Sequence, residues 1–247
     1  MLPTQSPRLL GDTSAALGRA VRFLENLSPR ADAVLVTGDL AHYGRPGEYA
    51  RLRELLAPLS TPAFVVPGNH DRREALRAVF GDVGYLPAHD GPLHYAIDRF
   101  PVRLIGFDTR RPGFAGGAAT PDGLAWLART LADAPKQATV LFMHHPPFHT
   151  GIVYMDAHGF VGLSELQTLI ACNPQVRLIL SGHVHRDVVS TSGGVVARTS
   201  RSTARQLVPE LFERRPFWIR IEQPGLGLHI WDERTGLFTS RNVNVPG

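Results

Sequence analysis

The residues of this chain that could do chemistry gather in four short signatures: Gly38-Asp39, Gly68-Asn69-His70-Asp71, His144-His145-Pro146-Pro147 and Gly182-His183-Val184-His185. Carboxylate, amide oxygen and imidazole are the hard-to-borderline donors that hold divalent first-row metals. One such pair means little. Four in a single chain, each closing an apolar run, predict a metal site assembled from residues far apart in sequence. Asp39 can bridge two cations through its two oxygens, Asn69 offers a carbonyl oxygen, and His144, His183 and His185 offer ring nitrogens. Manganese, iron, zinc or cobalt would suit this set, which does not choose among them.

Something must carry these residues to one place. Ala33-Val34-Leu35-Val36, Ala63-Phe64-Val65-Val66, Val102 to Phe107, Thr139 to Met143 and Val176 to Leu180 are short apolar runs of the kind that form buried strands. Between them lie helical patterns: Ala15 to Leu24 behind an Asp12 cap, Glu48 to Leu56, Glu74 to Phe80, a segment with Leu124, Trp126, Leu127 and Leu131, and Ser164 to Cys172. Strands alternating with helices predict a largely parallel sheet, and ligands collect outside the carboxyl ends of its strands. Asp39, Asn69, His144 and His183 each follow such an end. Gly38, Gly68 and Gly182 fit the sharp turns there. Towards the C-terminus, Phe217 to Glu222, Leu226 to Trp231 and Leu237 to Ser240 read as an antiparallel meander in a second sheet. With no repeat or long linker, residues 1–247 are expected to form one domain, with Trp218 and Trp231 in its core.

Composition bounds the rest. The 247 residues include 43% hydrophobic and 19% charged residues, enough for a sizeable core. The net charge is +4, yet only Lys136 among the 26 basic residues is a lysine, and no basic cluster forms. Nucleic acid is therefore an unlikely partner. The one cysteine, Cys172, reads as a packed thiol and excludes an intramolecular disulfide framework. The start of the chain lacks the apolar core of a signal peptide, and no apolar run reaches membrane-spanning length. A cytoplasmic protein is expected.

The four signatures, with Leu40 after the first and Phe148 after the third, resemble the calcineurin-like metallophosphoesterases. Within them the chain looks most like the bacterial class III cyclic-nucleotide phosphodiesterase and glycerophosphodiesterase branch, and Gly151 to Asp156 resembles a substrate-side loop of that branch. The resemblance implies a four-layer α/β/β/α sandwich around a dinuclear centre. Asp39 would bridge the metals, Asn69, His144 and His183 would complete one site, and His185 would belong to the other. His70 would act near the leaving group as general acid or charge stabiliser. Metal-activated hydroxide would attack a small phosphodiester, a 3′,5′-cyclic nucleotide such as cyclic AMP or a glycerophosphodiester. The alternatives are a phosphomonoesterase or nuclease of the same superfamily, or a catalytically weakened phosphate- or nucleotide-binding protein. The family also forms dimers, so a homodimer is compatible.

One departure shapes the expectations. The family's first signature, Asp-x-His, supplies two ligands to the second metal, and no such pair precedes Gly38 here. A complete protein would hold two divalent metals. This chain is expected to hold one strongly, to lack the first strand, and to begin at an internal Met of a longer enzyme. A missing strand would expose unpaired sheet groups and favour association. His42, His145 and His149 are weaker candidates for substrate contact, His145 also for packing behind a ligand, and His158 flanks the same loop as His149. His89, His94 and His229 read as surface or sheet residues, Asp108 as a turn or supporting residue, and Arg198, Arg201 and Arg205 as a solvated loop.

Overall fold

The structure, a computed structural model, describes residues 12–207, 219–220 and 222–246. Helix α1 (Thr13–Glu25) leads to strand β1 (Val34–Val36), α2 (Pro46–Leu56) to β2 (Ala63–Val65), and α3 (Arg73–Phe80) to β3 (Tyr95–Ile97) and β4 (Arg103–Gly106). Then come β5 (Gly117–Ala118), α4 (Pro121–Ala132), β6 (Thr139–Phe142), α5 (Val153–Asp156), β7 (Phe160–Val161) and α6 (Leu163–Ala171). The remainder is strand: β8 (Val176–Ser181), β9 (Val189–Ser192), β10 (Val195–Thr199), β11 (Gln206–Leu207), β12 (Ile219–Arg220), β13 (Gly225–Asp232) and β14 (Leu237–Asn244). The helix starts follow capping chemistry. Asp12 accepts the Ala15 N–H at 2.9 Å, and Thr120 accepts the Gly123 N–H ahead of Pro121.

The principal sheet has six strands in the order β3-β4-β6-β8-β10-β9. β4, β6, β8 and β10 run parallel, and the two edges, β3 and β9, are antiparallel. Its period-2 alternation feeds two cores. Leu104, Val140, Phe142, Leu178 and Leu180 face one core with β2 and with Tyr49, Leu52, Leu76 and Phe80 of α2 and α3. Ile105, Leu141 and Ile179 face the other, closed by Leu127 and Leu131 of α4 and Leu166 and Ile170 of α6. Both faces are covered, so these strands read as continuous apolar runs.

β1 and β2 form a separate parallel pair, in register from Val34↔Ala63 to Val36↔Val65. Among the described residues β1 pairs with β2 alone, and its three residues are half-buried. The outer side of β2 is closed by side chains: the Val65 N–H donates to the Tyr85 hydroxyl at 3.1 Å, and the Tyr95 hydroxyl donates to the Val65 carbonyl at 2.7 Å.

Several expectations change. The meander is a two-stranded ribbon, β13 paired with β14, whereas β12 pairs with β11. Part of the expected strand from Phe217 to Glu222, including Trp218, lies outside the described residues, as do the first eleven. Trp231 and Phe238 pack, half-buried, against the first core. Arg198 lies in β10 rather than in a loop, because the Ser/Thr-rich stretch completes a β9–β10 hairpin. Arg201 reaches Asn244 and the Glu222 carboxylate. Cys172 caps α6 and is exposed, not packed. His94 is neither a surface nor a sheet residue: it stacks between Phe107 and Trp126 at 4.6 and 5.0 Å, and its Nδ1 accepts the Asp108 N–H. No helix among the described residues is long and apolar enough to cross a membrane.

Candidate metal centre

Every predicted ligand follows the carboxyl end of a parallel strand: Asp39 after β1, Asn69 after β2, His144 after β6, His183 and His185 after β8. His144 is the hub. Its Nδ1 lies 2.7 Å from the Thr37 carbonyl, which must accept a proton from it and so leaves Nε2 with its lone pair in the neutral ring. That Nε2 stands 3.1 Å from Asn69 Oδ1, 3.2 Å from His183 Nδ1 and 3.4 Å from Asp39 Oδ1. Donors held about 2.1 Å from a single cation are themselves spaced by about 3.0–3.4 Å. The three distances from His144 Nε2 fall in or near that range.

Glycine makes the approach feasible. A Cβ on Gly38 would strike the His144 ring, and one on Gly68 would strike the Asp39 carboxylate. Among the described residues, three non-glycines have positive φ: Asp39 at 52°, His183 at 69° and His185 at 50°. Such conformations are sparsely populated and persist where the surroundings impose them, commonly at functional sites. All three are predicted ligands.

The electrostatics favour the metal-binding forms of Asp39, His183 and His185, whereas Asp39 favours a proton on His144 that a cation would have to displace. Burial works to raise the Asp39 carboxyl, but the His144 imidazole and the His70 amide override it and hold it well below the usual carboxylate range. Burial opposes charge on His144, and Asp39 outweighs burial, so that ring is pushed up. Burial, then the neighbouring His144, depresses His183 strongly. An uncharged imidazole is the form that binds metal. Burial likewise lowers His185, which is coupled to Asp39 and hydrogen-bonds the Arg205 backbone.

The weaker candidates divide. His144, His145 and His183 bring ring nitrogens within 4.8 Å of one another. His145, however, is 2% exposed, with Nδ1 2.9 Å from the Thr109 hydroxyl and Nε2 3.2 Å from the Ala115 carbonyl. It packs behind His183, where both nitrogens are already engaged. His42 is exposed and stacks on His70 at 5.3 Å. The backbone N–H of His70 donates to Asp39 Oδ1 at 3.1 Å, and its Nδ1 lies 3.0 Å from the His42 carbonyl. His149 is exposed and is not among the clustered rings of His144, His145 and His183, whereas His158 is near enough to act on His183 electrostatically.

Sequence reasoning assigned no role to Asp71 or Tyr49. Asp71, fully buried, accepts the backbone N–H groups of Leu40, Ala41 and Gly68 and the Tyr49 hydroxyl, at 2.7–3.1 Å. The same hydroxyl accepts the Arg72 N–H at 2.8 Å. These bonds tie the Asp39 turn to the Asn69 turn. Asp71 stood inside a quoted signature, but Tyr49 lies mid-helix with no local signal. Asp108 is a brace, forked by Arg73 at 2.6 and 3.0 Å and accepting the Leu93 N–H.

A largely parallel α/β sheet covered on both faces, with a carboxylate, an amide and two imidazoles following strand ends, is the arrangement expected of a metallophosphoesterase. Residues 9–187 match the calcineurin-like phosphoesterase family, and the chain belongs to it. It is 32% identical over 229 residues to a probable glycerophosphodiester phosphodiesterase GpdQ of Arcobacter nitrofigilis, spanning 92% of this chain and 84% of the relative. It is 33% identical over 204 residues to the 3′,5′-cyclic adenosine monophosphate phosphodiesterase CpdA of Pseudomonas aeruginosa, spanning 82% and 72%. The fold is similar to that of a crystallised dimetal phosphatase from Danio rerio, with TM-score 0.62, 16% identity, and 94% and 89% of the two chains covered.

Proposed function

We propose that this chain is a metal-dependent phosphodiesterase acting on small phosphodiesters, with Asp39, Asn69, His144 and His183 as the ligands of its principal cation. The observation that carries the reading is the gathering of three donor atoms around a fourth, His144 Nε2, at 3.1–3.4 Å, the spacing of ligands around one ion. The names of the two relatives support diester over monoester substrates. Asp39 and His185 are the residues available for a second cation, which the chain would hold more weakly. A bound divalent metal supplies a water of lowered pKa and polarises the phosphoryl oxygens.

The chain's own residues do the rest. Asp39 stays ionised across the working pH range because His144 and His70 favour its charged form. Thr37 fixes the His144 tautomer. His70 is anchored twice, through its amide on Asp39 and its Nδ1 on the His42 carbonyl, so Nε2 is the nitrogen left to face the leaving oxygen, to which the doubly protonated ring can give a proton. The lone cysteine fits a reducing compartment, and the cytoplasm is our assignment.

The test pairs metal content per chain with manganese-stimulated hydrolysis of bis(p-nitrophenyl) phosphate. Wild type should retain at least one metal and turn over the diester, and His144→Ala or Asn69→Ala should lose both properties. Full activity with unchanged metal content in either variant would overturn the ligand assignment. His70→Ala should keep its metal and slow most on diesters with poor leaving groups.

A further inference from the structure

A row of rings leads from the centre to the surface. His70, whose amide holds Asp39, stacks on His42 with centroids 5.3 Å apart and planes 18° apart. His42 meets the Tyr43 ring edge-on at 4.4 Å, and the Arg45 guanidinium lies 4.9 Å over the Tyr43 ring. Tyr43 is 59% exposed, one of the largest apolar exposures among the described residues.

An exposed tyrosine on a loose loop would mean little, but this loop is tied down. The N–H groups of His42, Tyr43 and Arg45 all end on the Glu48 carboxylate, at 3.0, 3.2 and 2.8 Å. Gly44 turns the chain at φ +67°, where a Cβ would strike the Arg72 side chain. The His42 carbonyl is held by His70. Folding thus fixes an aromatic ring in solvent, one ring removed from the residue that sits beside Asp39, where it contributes nothing to either core. A preorganised ring in that position binds a flat π-surface attached to a phosphate, since base–aromatic stacking needs only the two faces. A glycerol or ethanolamine group has no such face.

We propose that Tyr43, held on the Glu48-anchored loop with Arg45 against one side of its ring, is the stacking platform for the base of a 3′,5′-cyclic nucleotide. It would make the site favour cyclic nucleotides over glycerophosphodiesters. This inference rests on the phosphodiesterase reading above and names the substrate class of that same site.

The experiment compares wild type, Tyr43→Ala and Tyr43→Phe on 3′,5′-cyclic AMP and on glycerophosphoethanolamine, with equilibrium dialysis of cyclic AMP alongside. Tyr43→Ala should lower the ratio of the two kcat/KM values about tenfold, through KM for the cyclic nucleotide. It should weaken dialysed cyclic AMP by a similar factor, and Tyr43→Phe should restore both within about twofold. An unchanged ratio, or an equal loss on both substrates, overturns the platform while leaving the phosphodiesterase reading intact. If wild type hydrolyses neither these nor bis(p-nitrophenyl) phosphate, that earlier reading fails. Dialysis then decides the platform alone, and equal affinity of wild type and Tyr43→Ala rejects it.

Discussion

The candidate centre is built from two unlike halves. His144 and His183 stand on β6 and β8, in the middle of a six-stranded sheet with apolar cores on both faces. Asp39 and Asn69 stand on β1 and β2, a two-stranded pair whose first strand is half-buried throughout. In the imidazole half, ladder bonds and packing aim the ligands. The oxygen half has few of either, and side chains take over: Asp71 gathers three backbone N–H groups, Tyr49 links it to Arg72, and Tyr85 and Tyr95 satisfy the free side of β2. Where the sheet is thin, geometry rests on a few polar contacts, and it should fail one contact at a time.

Asp71→Ala tests this most severely. It strips the acceptor from three backbone donors and the Tyr49 hydroxyl in a fully buried position. Unsatisfied buried donors cost about 1–3 kcal/mol each, so a loss on the order of 4 kcal/mol is expected in urea unfolding, together with loss of bound metal. A fall below about 1 kcal/mol with metal retained would mean that the oxygen half is held by something other than this network.

The two halves were also unequally legible in the sequence. The signatures and the parallel strands beneath them could be read because buried parallel strands are unbroken apolar runs and metal donors are rare types at fixed places. The strand ends, with the proposed ligands just beyond them, and the covering helices α4 and α6 follow from that pattern. The bracing was hidden, since Tyr49 and Asp71 meet across 22 residues and no local periodicity announces a long-range hydrogen bond. The edge strands were hidden for a related reason. β3 has three residues, and β9–β10 is rich in Ser, Thr and Gly, so neither gives a clear alternation. The expected meander was misread because strand spacing does not say which strands pair: β12 found β11 instead of β13.

On the side of the six-stranded sheet, the expected weakness is acid. Burial between Phe107 and Trp126 is the main force pushing His94 down to about 4. A folded value below the unfolded one, about 6.5, means that the unfolded chain binds the proton more readily. The stabilisation is therefore complete above about pH 6.5 and is lost as the pH falls from there through about 4, by an amount on the order of 3 kcal/mol. His94→Asn keeps an acceptor near the Asp108 N–H and removes the titration, so its urea midpoint should be lower overall but flatter between pH 6.5 and 4. An unchanged slope would place the acid sensitivity elsewhere, with His229, also pushed down to about 4 by burial, as the next group to substitute.

The smallest expected effect separates positioning from stability. Tyr49→Phe keeps the ring, which is fully buried in the first core, and removes one hydroxyl that bonds both Asp71 and the Arg72 N–H. Asp71 retains its three backbone partners, so unfolding should shift by only about 1 kcal/mol. If the hydroxyl registers the Asp39 turn against the Asn69 turn, metal affinity should fall several-fold while His144 and His183, on the other half, keep their places. Metal titration followed at the imidazole ring protons can distinguish these outcomes, because the histidine signals of the metal-free variant should match wild type. A stability loss with unchanged metal affinity would make Tyr49 a packing residue and leave Asp71 and the His70–Asp39 bond to tie the two turns.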